Sequence, residues 1–155
     1  MSTVVPEPLK PEYPPLFAPG FHDGEDGKLD ELFVEPFPEP GVRKGLVENL
    51  RSLLAAVLAT GIRAEVWLDG SFTTKKPDPA DVDAVIYFDP AEVRALDSRH
   101  QATLDELADT NRSKLKYKCD VYFVPNDRPE WRSYWRGWFC FTRAEDPKGI
   151  ARMFV

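Results

Sequence analysis

The clearest periodicity in the chain is helical. Leu46, Leu50, Leu53, Leu54, Val57 and Leu58 recur at spacings of three and four, on one face of an amphipathic helix. Gly61 is placed to close it, because glycine accepts the left-handed backbone of a helix end. The pattern then changes. Ala64–Leu68 reads as a short strand halted by Asp69-Gly70-Ser71, and a polar loop over 73–79 leads into Asp81–Phe88, a strand rich in Val, Ile and aromatics. Asp89-Pro90 supplies an N-cap and a first helical residue. The stripe Val93, Leu96, Leu104 and Leu107 then predicts a helix over 91–110, and Cys119–Val124 a third strand closed by Pro125-Asn126-Asp127. A helix near 129–136 and strands near 138–143 and 150–155 complete the reading. Helix, strand, strand, helix, strand and further mixed elements predict an α+β fold without repeats.

The first 40 residues break this regularity. Nine of the 15 prolines fall there, so 1–40 reads as a Pro-rich, partly irregular arm ahead of a domain over 41–155. Leu16-Phe17, Phe21 and Leu32-Phe33-Val34 are apolar enough to dock on that domain, with a helical turn around Asp30–Val34 ended by Pro36. Charge divides at the same place. The arm carries nine acids against Lys10 and Lys28, whereas the rest of the chain holds 17 acids and 18 bases. The formal net charge of -6 therefore belongs to the arm, and the domain can favour an anion locally. Within 111–155, ten Lys and Arg are interleaved with Trp131, Tyr134, Trp135, Trp138, Phe139 and Phe141.

No apolar run approaches the ~20 residues of a membrane span, and no secretory signal is visible, so a cytoplasmic protein without membrane partner is expected. Cys119 and Cys140 lack the neighbours a zinc site requires and read as reduced, buried thiols.

The candidate chemistry lies at the start of the second strand. Side chains two apart on a strand share a face, so Asp81 and Asp83 project together. Two carboxylates that close repel each other unless a divalent cation resolves the charge. Asp120, near the start of the third strand, becomes a third ligand if that strand lies beside the second. Such a set can clamp an in-line displacement with two metal ions. The Gly70-Ser71 turn permits the close approach of an anion, and Lys75 and Lys76 either add charge to it or sit solvated on the loop.

Leu68-Asp69-Gly70-Ser71, followed after nine residues by Asp81-Val82-Asp83-Ala84 and an apolar strand, resembles the Gly-Ser … Asp-x-Asp signature of the polymerase-beta-like nucleotidyltransferase superfamily. The chain length is similar to its minimal type, and WLDGSFTTKKPDPADVDAVIYF, the later Asp120, YWRGWF and KGI look like an uncharacterised bacterial and phage group within it. The resemblance spans roughly 30–155. It implies a small mixed β-sheet with helices packed on one face. Asp81, Asp83 and Asp120 would be catalytic and metal-binding, with Mg²⁺ or Mn²⁺ as cofactor, and Gly70 and Ser71 would lie at the phosphates of an NTP, ATP foremost. One departure is Ala80, where the minimal type often carries Ser. The implied reaction moves a nucleoside monophosphate onto an acceptor hydroxyl of protein or RNA, in a toxin–antitoxin or phage-defence setting with a partner toxin.

Plainer readings stand beside these. Asp69 reads as a turn residue rather than a fourth ligand, and His22 and His100 as surface residues. The Trp131–Trp138 aromatics are core at helical spacing, or a stacking surface for a base or an RNA strand. The alternative to an enzyme is a catalytically inactive module of the same fold that binds a partner protein or nucleic acid.

Overall fold

Residues 12–24, 26–39 and 41–155 are described by a computed structural model. The strands are β1 (Gly20–Asp23), β2 (Ala64–Asp69), β3 (Val82–Phe88), β4 (Cys119–Pro125) and β5 (Gly149–Phe154). The helices are α1 (Leu29–Phe33), α2 (Gly41–Ala59), α3 (Pro90–Arg94), α4 (Ser98–Ala108), α5 (Thr110–Tyr117) and α6 (Pro129–Phe139). The strands form one mixed sheet in the order β1-β5-β2-β3-β4. β2 is antiparallel to β3 and β5, while β3 with β4 and β1 with β5 run parallel. The fold is α+β. Among the described residues no helix is long and apolar enough to cross a membrane.

β3 shows why the apolar run 82–88 forms a central strand. Val82, Ala84 and Ile86 enter one core, and Val85 and Tyr87 enter another, so both faces are covered. The first core holds Leu46, Leu50, Leu53 and Val57 of α2 with Leu104, Leu107 and Tyr117 of α4 and α5. The opposite face is covered by α6, whose Phe139 packs with Trp67, Val85 and Tyr87. Helices thus stack on one face, and α6 adds a layer on the other. Burying Phe139 contributes roughly 2–3 kcal/mol.

Two expected elements differ. The helix expected over 91–110 is two helices, α3 and α4, and a further helix, α5, starts where it was expected to end. Asp97 accepts the amide of His100 at 2.8 Å and Asp109 that of Arg112 at 3.1 Å, so each caps a new helix rather than continuing the old one. Lys118, at φ 53° in the left-handed region, ends α5 and turns the chain directly into β4. The strand over 138–143 is replaced by the last turn of α6 and a single bridge between Phe141 and Pro147. Trp131, Trp135 and Phe139 keep helical spacing to residue 139, and that periodicity prevails.

Of the Pro-rich arm, 1–11 lies outside the described residues, and the part from residue 12 is built into the domain. β1 extends the sheet along β5, and Gly149 lets the backbone of Ala18 pass where a Cβ would collide with its carbonyl. Leu29 and Phe33 of α1 are fully buried, with Phe33 stacked on Phe72 at 4.3 Å. Arg43 joins this layer to the loop after β2. Its guanidinium is fully buried and donates to the carbonyls of Phe33, Phe72, Thr74 and Lys76 at 2.7–3.2 Å, with Phe37 stacked at 3.8 Å. Burial pushes its pKa down to about 10, opposed by nearby Asp78. The loop that borders the candidate site is therefore pinned from below by a buried cation.

Candidate metal centre

The register of three strands lines up carboxylates. Asp69 of β2 pairs across from Asp83 of β3, and Asp83 pairs across from Asp120 of β4. Asp81, two residues before Asp83, projects to the same face. One oxygen each of Asp81, Asp83 and Asp120 lies within 4.8 Å of the others. The sequence expectation that β4 lies beside β3 holds, and the three carboxylates converge.

Gly70 is fixed by this crowding. Its φ of 81° with ψ of -165° is a conformation that essentially only glycine adopts. A Cβ there would stand 2.5 Å from Oδ2 of Asp83. Gly70 and Ser71 line a groove of about 1470 Å³ that also contains Asp69, Asp81 and Asp83. Lys76 lines it too, with Nζ 6.0 Å from the Tyr13 ring centroid. Lys75 does not line it. It is exposed, and its amide donates to Pro14 at 2.8 Å, so its part in the structure is to tie the loop to the arm.

The electrostatics follow from the packing. Burial, then the charges of Asp81, Asp120 and Asp69, pushes Asp83 up to about 7. Burial and Asp120 also raise Asp81. Burial pushes Asp69 up to about 6, against the pull of Lys148. Two lysines answer this charge. Nζ of Lys148 sits 2.6 Å from Asp69, and Nζ of Lys114 sits 3.3 Å from Asp120 and 3.7 Å from Asp81. Four carboxylates against two ammonium groups leave two negative charges when all are ionised, the charge of one divalent cation.

The donor set fits such an ion. Carboxylate oxygens without imidazole or thiolate suit Mg²⁺ and Mn²⁺. Octahedral Mg²⁺ bonds of 2.0–2.1 Å span at most about 4.2 Å between opposite ligands, so a small carboxylate rotation closes the 4.8 Å set. Lys114 is exposed enough to withdraw. Asp69 stays outside the set. It accepts from the Thr73 hydroxyl at 3.3 Å and from the Gly70 amide, which agrees with its reading as a turn residue.

Lys114, Lys148 and Arg43 are the functional candidates that sequence reasoning passed over. KGI marked the neighbourhood of Lys148 but no role, and Lys114 depends on a helix end that its pattern does not announce. His22 bonds the Ala18 carbonyl at 2.6 Å and His100 pairs with Asp97 at 2.9 Å, both away from the groove. Cys119 and Cys140 are free thiols, Cys119 buried and pushed up to about 12 by burial.

The aromatic cluster is core only in part. Phe139 and Trp135 belong to the core layer, while Trp131, Tyr134 and Trp138 are exposed.

No curated protein and no solved structure matches this chain. Over residues 11–154 it matches a family of unknown function, DUF6932, and it belongs to that family.

Proposed function

We propose that this protein is a metal-dependent nucleotidyltransferase that moves a nucleoside monophosphate from an NTP to an acceptor hydroxyl. The observation that carries the reading is the convergence of Asp81, Asp83 and Asp120, with Asp81 and Asp83 lining a groove together with the Gly70-Ser71 turn. A divalent cation held by these carboxylates would neutralise the triphosphate and stabilise the charge that develops during displacement. Gly70 and Ser71 hold the β- and γ-phosphates, and Lys76 adds positive charge from the same loop. The acceptor oxygen attacks the α-phosphorus, a new P–O bond forms, and the bond to the β-phosphate oxygen breaks with pyrophosphate leaving. Asp120 receives the hydroxyl proton. Lys148 keeps Asp69 paired, so that its charge does not add fully to the repulsion on Asp83.

One observation favours the inactive-module reading. The Lys114 ammonium already sits against Asp81 and Asp120 and can serve as their resident cation. Labelled transfer separates the two. NTPs labelled at the α-phosphate, with Mg²⁺ or Mn²⁺ and a pool of RNA and protein acceptors, should yield labelled acceptor and free pyrophosphate, both lost in Asp81→Asn/Asp83→Asn. Absence of transfer and of pyrophosphate with all four NTPs would leave the inactive module standing.

A further inference from the structure

The wall of the groove formed by α6 is unusual in composition. Tyr134 and Trp138 line the groove, and Trp131 continues the row beyond the lining; in chain order the three follow at spacings of three and four and are 41%, 49% and 65% exposed. Their rings meet edge to face, with Tyr134 5.9 Å from Trp131 and 6.4 Å from Trp138. Trp135 lies half-buried beneath, 4.8 Å from Tyr122, which brings the aromatic surface down to the sheet beside Asp120. Seven aromatic side chains line the groove, and no Leu, Ile, Val or Met does. A groove that takes an amphipathic helix is built from flexible aliphatic and Met side chains. Rigid rings without aliphatics match flat π faces instead, and nucleobases stack on such rings whatever their sequence.

Size agrees with that occupant. At about 1470 Å³ the groove exceeds the ~300–1,000 Å³ of a small-ligand pocket, leaving room for an acceptor beside a nucleotide. Arg143 and Lys76 line the groove without an ion pair among the described residues; Glu12 and Glu145 line it with them, and Glu12 accepts the Arg143 backbone amide at 2.9 Å. Arg143 and Lys76 can meet phosphates, while Asp81 and Asp83 form the wall that a cation would occupy.

We infer that the α6 aromatic face is a stacking platform for single-stranded RNA, and that the acceptor is the hydroxyl of an RNA end laid across it toward Asp120. The inference rests on the nucleotidyl-transfer reading and adds the acceptor class to it. The test uses the full chain and a short, fluorescein-labelled single-stranded RNA at low salt, with anisotropy and intrinsic Trp fluorescence as readouts. RNA should bind, quench the Trp emission, and lose affinity steeply as salt rises. Tyr134→Ala/Trp138→Ala should weaken binding about 10- to 100-fold, the loss expected for one or two unstacked bases, while the Mg²⁺-ATP shift in Tm is kept. Trp138→Phe, which retains a ring, should restore most of the affinity.

Asp81→Asn/Asp83→Asn should lose label transfer and bind RNA no more weakly than wild type, because it keeps every ring of the platform and removes negative charge from the groove. If RNA binds through α6 and no label is transferred to it, the platform stands and the transfer reading falls. If label is transferred to protein while RNA does not bind, or binds equally well to Tyr134→Ala/Trp138→Ala, the inference is overturned. A proline-rich peptide, the other occupant that aromatic grooves take, would overturn it by saturating the groove and leaving RNA unbound.

Discussion

Replacing Asp83 with Asn removes one charge from the centre of the carboxylate row and keeps its shape. In the metal-free protein that charge is costly, because burial and then Asp81, Asp120 and Asp69 push Asp83 from 3.8 up to about 7. A shift near three units at 1.36 kcal/mol each sets an upper value of about 4 kcal/mol for the stability it removes once ionised. The sign follows from proton binding. Between the unfolded value and about 7 the folded chain holds the proton more tightly than the unfolded chain, so wild-type stability falls as pH rises through that window. Below the window the group is neutral in both states, and above it the loss is complete.

In EDTA near pH 8, Asp83→Asn should therefore be more stable than wild type by about 2–4 kcal/mol, or roughly 5–15 °C in Tm for a chain of this size. Its pH profile should be flatter but not level, since Asp69, pushed up to about 6, contributes a slope of the same sign. Adding Mg²⁺ should close this gap and then reverse the order. The ion stabilises wild type by about 2.7 kcal/mol at 100 times its Kd and about 4.1 kcal/mol at roughly 1,000 times, and leaves the Asn variant where it was. Urea denaturation across pH, with EDTA and with Mg²⁺, measures all of this. Equal or lower stability of the variant in EDTA near pH 8, with superimposable pH profiles, would refute the electrostatic account of the row.

Gly70→Ala should lower stability by about 1–3 kcal/mol from backbone strain alone. It should also abolish Mg²⁺ binding, because the new Cβ drives the Asp83 carboxylate away, and calorimetric titration with Mg²⁺ checks the second effect. Lys114→Met should raise Mg²⁺ affinity several-fold and destabilise the metal-free protein near neutral pH, because it removes the ammonium that competes with the ion at Asp81 and Asp120. Unchanged Mg²⁺ affinity would deny Lys114 that role. Arg43→Met should cost about 3 kcal/mol, since it strands four buried carbonyls. Proteolysis should then open the loop around residues 72–76 before the rest of the chain.

The carboxylate site was legible because it depends on local rules. Strand alternation puts Asp81 and Asp83 on one face, and the apolar runs 82–88 and 119–124 mark two strands that pair in parallel, bringing Asp120 alongside. The glycine at the end of β2 signalled an unusual backbone, and its φ of 81° supplies one. What the sequence concealed depends on contacts distant along the chain. β1 lies in a Pro-rich arm and becomes a strand only because the edge of β5 offers it hydrogen bonds. Arg43 resembles any helix-surface cation until the carbonyls of 33, 72, 74 and 76 surround it. The 91–110 helix failed for a nearer reason. Asp97 and Asp109 were readable as N-caps, but the leucine stripe overrode them.

Nucleotidyl transfer by this protein requires Asp81, Asp83 and Asp120 to hold a divalent cation. Anomalous diffraction at the manganese edge, from crystals soaked in Mn²⁺ with a non-hydrolysable ATP analogue, tests it most directly. The account predicts a peak bounded by the three carboxylates, the triphosphate seated at Gly70-Ser71, and Lys114 withdrawn from Asp120. Density showing Lys114 still seated against Asp81 and Asp120, with no manganese peak at saturating Mn²⁺, would contradict it.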